Sequence, residues 1–277
     1  MKPYVIAEIG SNCFLDDDEQ INFDNAVQSI HGASIYGASA VKFQLFTSKE
    51  LWGVDDTVRD TKKFNLPREW LPKLHEYCEK YKIDFMCTGF SVDGYEAIDP
   101  YVKMHKLASP EVWDNNICNY LFSKDQPKPV LVSLGCVPTF SLDRVLNMVR
   151  KHDILLECVS KYPAETRDYD LHCVRYLSSK YDYRWGVSDH TLEDTLAIEA
   201  REFGALYFEK HVDFLADCYN ESHPETPDSC VSINKHQFGG YVLGIQSTDI
   251  FNYDKIKVEA KEKYGRRRFN NEWYRPL

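Results

Sequence analysis

The sequence predicts a single (β/α)8 barrel, in which eight parallel strands alternate with helices. Short apolar or β-branched runs recur along the whole chain, each followed by a longer segment with helical periodicity. An open doubly wound sheet usually has fewer strands, and no linker-like stretch interrupts the series. With 277 residues, 43% of them hydrophobic, the chain can bury one large core. We therefore assign residues 1–265 to one barrel and 266–277 to a short C-terminal tail.

The eight predicted strands follow one another at the spacing that a barrel requires. They are YVIAEIG (4–10), AVKFQLF (40–46), IDFMCTGF (83–90), MHKLAS (104–109), KPVLVSLG (128–135), ILLECVS (154–160), YRWGVSD (183–189) and LYFEKHV (206–212).

The segments between the strands carry helical patterns. We predict helices over 22–37, 67–81, 141–152, 168–181 and 191–204, several of which open with Ser, Asp or Pro, while two end in Gly. Two long segments, Thr47 to Leu66 and Asp213 to Ser232, are predicted to be loops after strand C-terminal ends. A barrel places its active site at that end.

Charge and composition exclude several functions. A net charge of -10 and a pI near 5.4 argue against binding to nucleic acid or anionic membranes, which usually requires a basic face. No run of about 18 apolar residues suggests a membrane span, and no cleavage pattern follows the N-terminus. The nine cysteines are scattered and never spaced C-x-x-C, so neither a disulfide framework nor a thiolate zinc site is indicated. We expect a cytoplasmic protein with reduced thiols.

Polar residues stand where buried strands should be apolar. By the two-residue period of a strand, Lys42 and Gln44 share one face of the second strand, Ser188 and His190 one face of the seventh, and Glu209 and His211 one face of the eighth. Other polar groups lie at or just past strand ends: Glu8, Thr88, Lys106, Ser109, Glu111, Ser133, Ser160 and Tyr162. Their convergence at one mouth predicts a functional site.

The residue types suggest the chemistry of that site. Two buried lysines, Lys42 and Lys106, would repel one another unless an anion lies between them, which favours a phosphate or carboxylate ligand. The alternative is a structural network in which they pair with Glu8, Glu111 or Glu209. His190 and His211, on neighbouring strands, are suited to hold a divalent ion that polarises a carbonyl. Alternatively, His190 is the neighbour of a helix N-cap and His211 is a hydrogen-bonded rim residue.

The ordered motifs resemble the sialic acid synthase family. They are AEIG (7–10), AVKFQ (40–44), FMCTGF (85–90), KLASPE (106–111), PVLVSLG (129–135), ECVSKYP (157–163), GVSDHT (186–191), EKHV (209–212) and PD (227–228). GVSDHT followed about twenty residues later by EKH is the most specific pair.

This resemblance implies an enzyme that condenses phosphoenolpyruvate with an N-acylmannosamine-type aldose, giving a nine-carbon 2-keto acid and phosphate. His190 and His211 would bind Mn2+ or Mg2+, which would polarise the sugar aldehyde. The residues implied to hold phosphoenolpyruvate are Lys42, Thr88, Lys106, Ser109, Ser133 and Ser188. Those facing the sugar are Gln44, Tyr162, Glu111 and Asp228, and the implied catalytic groups are Glu8, Glu111 and Lys106.

The sequence departs from the family pattern at three places. Ser11, Asn12, Cys13 and Phe14 replace a usual Asn-His-x-Gly stretch, and Glu157 replaces a usual His. We expect the family's C-terminal antifreeze-like domain to be absent, with Arg266, Arg267 and Arg268 marking its linker rather than replacing its arginine.

These departures keep two alternatives open: a phosphoenolpyruvate-dependent synthase for a different or modified aldose, and a degenerate barrel that binds sugar or protein without turnover. A homodimer, or a separate polypeptide carrying the antifreeze-like domain, is the expected partner.

Overall fold

A closed parallel barrel forms the structure, as the sequence predicts. The computed structural model describes residues 2–52, 62–216, 223 and 226–248, and the backbone of 267–269 and 272–274. Of Trp52, Lys62, Cys173 and Leu177 only the backbone is described. The barrel strands, numbered in chain order, are β1 (Tyr4–Glu8), β2 (Ala40–Leu45), β3 (Asp84–Gly89), β4 (His105–Leu107), β5 (Val130–Ser133), β6 (Ile154–Cys158), β7 (Arg184–Asp189) and β8 (Tyr207–Asp213).

All eight predicted strands are confirmed, and their pairing closes the barrel. Each strand is parallel to the next, and β8 pairs with β1 in the register Tyr4 to Tyr207 through Glu8 to His211. A short strand, β9 (Ile233–Asn234), pairs in parallel with the C-terminal end of β8. Because all strands are parallel, their C-terminal ends meet on one side of the molecule.

Helices cover the outside of the barrel. They are α1 (Glu19–Ile35), α2 (Ser48–Trp52), α3 (Trp70–Tyr81), α4 (Val92–Ile98), α5 (Asn115–Leu121), α6 (Leu142–Leu146), α7 (Leu171–Tyr181), α8 (Thr195–Glu202) and α9 (Lys235–Ser247). Short 3-10 helices lie at Lys62–Phe64, Asp99–Tyr101, Pro110–Trp113, Thr139–Ser141, Thr166–Asp168 and Ser229–Val231. Side-chain caps begin α1, α4, α5 and α9, through Asp18, Ser91, Asp114 and Asn234.

The helix predicted over 141–152 is the least accurate expectation, because α6 ends at Leu146. Beyond α6, the Arg150 guanidinium donates hydrogen bonds to the Asp153 carboxylate and to the Lys128 carbonyl. These side-chain bonds replace a third helical turn.

The strand alternation divides the barrel interior into two levels. An apolar lower layer fills the end nearest the strand N-termini, with Ile6, Ala40, Met86, Leu131, Ile154, Leu156 and Tyr207. Two residues further along the same faces is a polar upper layer, formed by Glu8, Lys42, Thr88, Lys106, Ser133, Ser188 and Glu209. The opposite faces, with residues such as Phe43, Leu107 and Phe208, pack against the helices.

Within the described residues, no helix is long and apolar enough to cross a bilayer. The cysteines described with their side chains all carry free thiols, as expected: Cys13, Cys78, Cys87, Cys118, Cys136, Cys158 and Cys230. In the segment assigned to the tail, Arg267–Phe269 and Glu272–Tyr274 (β10 and β11) form an antiparallel pair. The boundary at residue 265 and the predicted role of Arg266 lie outside the described residues.

Candidate active site

A cavity of about 410 Å³ opens at the C-terminal ends of the strands. With one exception, every predicted catalytic, substrate-binding or metal-binding residue lines it: Lys42, Gln44, Thr88, Lys106, Ser109, Glu111, Ser133, Tyr162, Ser188, His190, His211 and Asp228. The exception, Glu8, is fully buried beside Lys42. The structure therefore brings together residues from all eight strands and the loops after them.

Charged side chains form the floor of the cavity. Lys42 Nζ lies 2.5 Å from Glu8 Oε2 and 3.5 Å from Glu209 Oε2, and it donates to Thr88 Oγ1 over 3.0 Å. Lys106 Nζ lies 3.4 Å from Glu209 Oε1. Strand register explains the first of these contacts, because Glu8 stands beside Lys42 in the β1–β2 ladder.

Glu209 lies between the two lysines and is the anion that keeps them apart. Burial alone would raise its pKa, but Lys106, Lys42 and the Ser188 hydroxyl hold that pKa below its ordinary value. Burial would lower the pKa of Lys42, and the carboxylates of Glu209 and Glu8 raise it instead. Two carboxylates therefore balance two ammonium groups, which is the structural pairing that the sequence left open for Glu8 and Glu209.

Hydroxyl groups surround this charged floor. Ser188 Oγ donates to Glu209 Oε1 over 2.7 Å, and Ser109 Oγ accepts from the Gly135 amide at 2.9 Å. Ser133 Oγ is buried with no hydrogen-bond partner among the described residues. A buried hydroxyl without a partner is costly, so Ser133 has the capacity to bind a ligand.

Two further carboxyl groups flank the floor. Glu8 Oε1 accepts from Gln44 Nε2 over 2.8 Å, which orients the amide toward the cavity. Glu111 follows β4 and does not pair with either lysine; its Oε2 is buried without a partner in the described part of the chain. Burial raises the pKa of Glu111 above its ordinary value, which favours a carboxyl that carries a proton.

The two histidines face one another across the rim, with ring centroids 5.6 Å apart. His190 Nδ1 lies 2.7 Å from the Val159 carbonyl, which can only accept, so Nδ1 carries the proton. Burial and the neighbouring His211 lower the pKa of His190 to about 3, and the ring is neutral. Its Nε2 lone pair is thereby left facing the Tyr162 hydroxyl at 3.2 Å.

Asp228 lines the cavity beside His211. Its Oδ2 accepts from the Ser11 amide at 2.7 Å and from Ser11 Oγ at 2.8 Å, while Oδ1 lies 3.7 Å from His211 Nδ1. Gly10 permits this approach, because a Cβ there would lie 2.2 Å from Asp228 Oδ2, and its φ is +50°. The unusual Ser11 stretch thus holds one carboxylate oxygen and leaves the other at the rim.

The two imidazoles have the chemistry of metal ligands. His190 is neutral, donates its other N–H to a backbone carbonyl and presents a lone pair, the arrangement usual for metal-bound histidine. His211 Nδ1 is buried without a hydrogen-bond partner among the described residues. In the same residues no three His, Cys, Asp or Glu side chains form a metal cluster. The donors present therefore fit an open site of two imidazoles, completed by waters or substrate oxygens.

The sequence left open whether Glu209 pairs with the lysines, although the alternation that placed His211 inward also places Glu209 there. It also left the direction of Glu157 unstated. Glu157 points away from the cavity, toward α7, where its Oε1 accepts from the Asp170 amide. The residue at which the family usually has His and this chain has Glu157 therefore lies on the helix-facing side of β6, and the difference does not alter the cavity.

Comparison with known proteins shows the family of the chain. The model of the NeuB family matches residues 29–257, so the chain belongs to the NeuB family. A pseudaminic acid synthase of Helicobacter pylori is 28% identical over 96% of this chain and 81% of its own length. An N,N'-diacetyllegionaminic acid synthase of Legionella pneumophila is 29% identical, covering 90% of this chain and 73% of its own.

The fold also matches solved structures. An N-acetylneuraminic acid (sialic acid) synthetase from Leptospira borgpetersenii, solved with citrate, superposes with a TM-score of 0.78 at 22% identity, over 95% of this chain and 92% of that chain. The predicted membership of a sialic-acid-synthase-like family and the predicted barrel are thereby confirmed.

Proposed function

We propose that the protein condenses phosphoenolpyruvate with the open-chain form of an N-acylmannosamine-type aldose, giving a 2-keto nonulosonate and phosphate with the help of Mn2+ or Mg2+. The observation that carries the proposal is the cavity itself: each residue that the family resemblance implies for substrate lines it. Relatives named as pseudaminic and legionaminic acid synthases support a sialic-acid-like product.

The anionic substrate would bind over the charged floor. Lys42 is occupied by two carboxylates and Thr88, whereas Lys106 lies 3.4 Å from its carboxylate and is the better placed to donate to phosphate or carboxylate oxygens. Ser133 Oγ would gain the partner that it lacks in the described residues. Glu209 would hold both lysines in place.

The sugar would lie above, between Gln44, Tyr162, Glu111 and Asp228. In the reaction, C3 of phosphoenolpyruvate forms a bond to the aldehyde carbon, and the aldehyde oxygen takes up a proton. Water then adds at C2 and gives up one proton, which replaces the proton delivered to the aldehyde oxygen. The bond from C2 to the phosphate oxygen breaks, the remaining hydroxyl proton passes to the departing phosphate, and the ketone is left. Glu111, whose pKa is raised by burial, is suited to deliver the proton to the aldehyde oxygen.

His190 and His211 would hold the divalent ion at the rim, where it would supply Lewis-acid polarisation of the sugar carbonyl. The hydrogen bond of His190 to Val159 fixes the tautomer that this requires. Glu8 would hold Gln44 toward the sugar.

The test is mass spectrometry of the products after incubation with phosphoenolpyruvate, Mn2+ and a panel of mannosamine-type and other aldoses, with phosphate release measured in parallel. A nine-carbon keto acid formed only with metal is the expected result, and a chelator should abolish it. His211→Ala should do the same. His152→Ala, which alters a half-exposed ring before β6 at the other end of the barrel, should leave the reaction unchanged.

The same experiment, with binding of phosphoenolpyruvate and Mn2+ measured alongside it, separates the alternatives. A keto acid from a different or modified aldose would establish the synthase with another acceptor. Failure to bind phosphoenolpyruvate and metal at all would contradict the proposal and favour the degenerate binding barrel.

A further inference from the structure

Behind the two histidines lies a fully buried ion pair that the proposed chemistry does not use. Asp189 immediately precedes His190, and Lys210 immediately precedes His211. Both side chains have zero exposure, and Lys210 Nζ lies 3.1 Å from Asp189 Oδ1. Since successive side chains of a strand point to opposite faces, the pair lies outside the barrel wall while the histidines point into the cavity.

The position of this pair in the sheet is what makes it informative. The β7–β8 ladder ends with Asp189 beside Lys210, so His190 lies one residue past the last registered pair. His211 remains inside β8 and is paired with Glu8 of β1. Beyond its last pair, the ladder does not set the spacing between the two imidazoles.

Side-chain hydrogen bonds of Lys210 continue the connection where the ladder stops. Lys210 Nζ donates to the backbone carbonyls of Thr191 (2.5 Å) and Glu193 (3.2 Å). Asp189 Oδ1 accepts from the amide and the hydroxyl of Thr191, at 2.8 and 2.7 Å. The residues on both sides of His190 are therefore tied to the residue that precedes His211.

Stability alone does not account for such a pair. Taking two charges out of water is expensive, and well-packed apolar side chains can often replace a buried pair without loss. Unlike apolar side chains, the charged pair makes directional hydrogen bonds, and these specify where the loop after β7 lies relative to β8.

We infer that Asp189 and Lys210 are positioning residues that hold His190 and His211 at the separation needed to bind one divalent ion. The inference rests on the proposed function for the identity of the ion, but the spacing of the two rings is a property of this chain alone. Residues that orient metal ligands typically change metal affinity by about 10–100-fold when replaced.

The test is a titration of the intact protein with Mn2+, in which electron paramagnetic resonance measures free Mn2+. The variant Asp189→Asn/Lys210→Met removes both charges together, so no lone charge stays buried. We expect its Kd for Mn2+ to rise about tenfold or more. The matched control is Arg150→Met/Asp153→Asn, which removes a pair at the opposite end of the barrel, where Asp153 is also fully buried. That control should lower Tm without changing the Kd for Mn2+.

A second variant covers the case in which the double variant does not fold. Thr191→Val removes one acceptor from Lys210 and one donor to Asp189, but it keeps the ion pair and the bond from the Thr191 amide to Asp189. It should therefore weaken Mn2+ binding by a smaller factor than the double variant, about threefold.

A crystal structure of the metal-free variant provides a readout that does not depend on the metal. We expect the imidazole centroids to leave their 5.6 Å separation, or His190 to adopt several positions. If the wild type binds no Mn2+, the metal part of the proposed function fails. The crystal structure of the variant then decides by itself whether the pair positions the imidazoles. Unmoved imidazoles, or Mn2+ affinity within twofold of wild type in the folded variants, would overturn the inference.

Discussion

The lower and upper layers of the barrel interior lie on the same strand faces, one alternation apart, and differ in almost every physical respect. Leu131 and Ser133 on β5 illustrate this: one lies in the apolar lower layer, and the other is a buried hydroxyl without a partner in the described residues. On β8, Tyr207 belongs to the lower layer, whereas Glu209, two residues further on, lies beside the ammonium groups of Lys42 and Lys106. The lower layer is arranged for stability, whereas the upper layer keeps polar groups whose burial is costly unless they bind something.

The largest expected effect comes from removing the anion that holds the upper layer together. Glu209→Gln leaves Lys106 without its carboxylate partner and Lys42 with one fewer. Loss of one partner from a buried ion pair costs about 3–5 kcal/mol, and urea unfolding should show a decrease of that size. Glu202→Gln, at the exposed end of α8, should stay within about 0.5 kcal/mol of wild type. A decrease no larger than this control would mean that the lysines do not depend on Glu209.

Replacements on β5 compare the two layers directly. Leu131→Ala creates a cavity in the lower layer and should cost about 2–5 kcal/mol of unfolding free energy, with phosphoenolpyruvate affinity retained. Ser133→Ala removes a hydroxyl that has no partner in the described residues; it should leave stability unchanged or raise it by about 1 kcal/mol. The same variant should weaken phosphoenolpyruvate binding. Equal losses of stability in the two variants would erase the distinction between the layers.

Much of this arrangement was predictable from sequence, because strand alternation is a local rule. It placed Lys42, Gln44, Ser188 and His190 on inward faces, and all line the cavity. The same rule assigns Glu209 inward and Lys210 outward, but it does not say which charged groups meet. Those contacts depend on register and on the closure of β8 against β1, which a single sequence does not specify.

The loop contacts were beyond such a rule. Ser11 bonds to Asp228 across 217 residues of sequence, and nothing local in either segment indicates the other. The extent of α6 was missed for a related reason, since Arg150 bonds to distant backbone carbonyls.

Glu157 is a partly buried carboxylate outside the barrel wall, in contrast to the carboxylates of the cavity, and it should make the free energy of unfolding depend on pH. Burial raises the pKa of Glu157 to about 7, above its unfolded value, so the folded state binds more protons than the unfolded state between about pH 4.5 and 7. Wild-type stability should therefore fall as the pH rises through this window.

Glu157→Gln removes the dependence and should exceed wild type by roughly 1–3 kcal/mol at pH 8, with the difference vanishing toward pH 4.5. Urea unfolding at both pH values measures it, with Glu76→Gln on the exposed side of α3 as a control. A difference that is the same at both pH values would show that Glu157 does not titrate in this window.

The smallest expected effect concerns the unusual loop after β1. Ser11→Ala removes the bond that the hydroxyl donates to Asp228 Oδ2 and the bond that it accepts from the Asp228 amide, and it leaves the bond from the Ser11 amide intact. We expect a loss of about 1–2 kcal/mol, against about 1 kcal/mol for Ser34→Ala, which breaks a bond to the Tyr81 carbonyl. Only Ser11→Ala should raise KM for the sugar, with KM for phosphoenolpyruvate unchanged. If both KM values rise together, Ser11 does not act through the sugar side of the cavity.

The most direct test of the upper layer as an anion site is calorimetric titration of phosphoenolpyruvate into wild type, Lys106→Met and Lys103→Met. Lys103 is largely exposed and pairs with Asp84 at the other end of the barrel. Loss of a charged hydrogen bond of about 1.5–3 kcal/mol corresponds to a roughly 10–100-fold weaker Kd. The account predicts this loss for Lys106→Met alone. Equal affinity in all three proteins would contradict it.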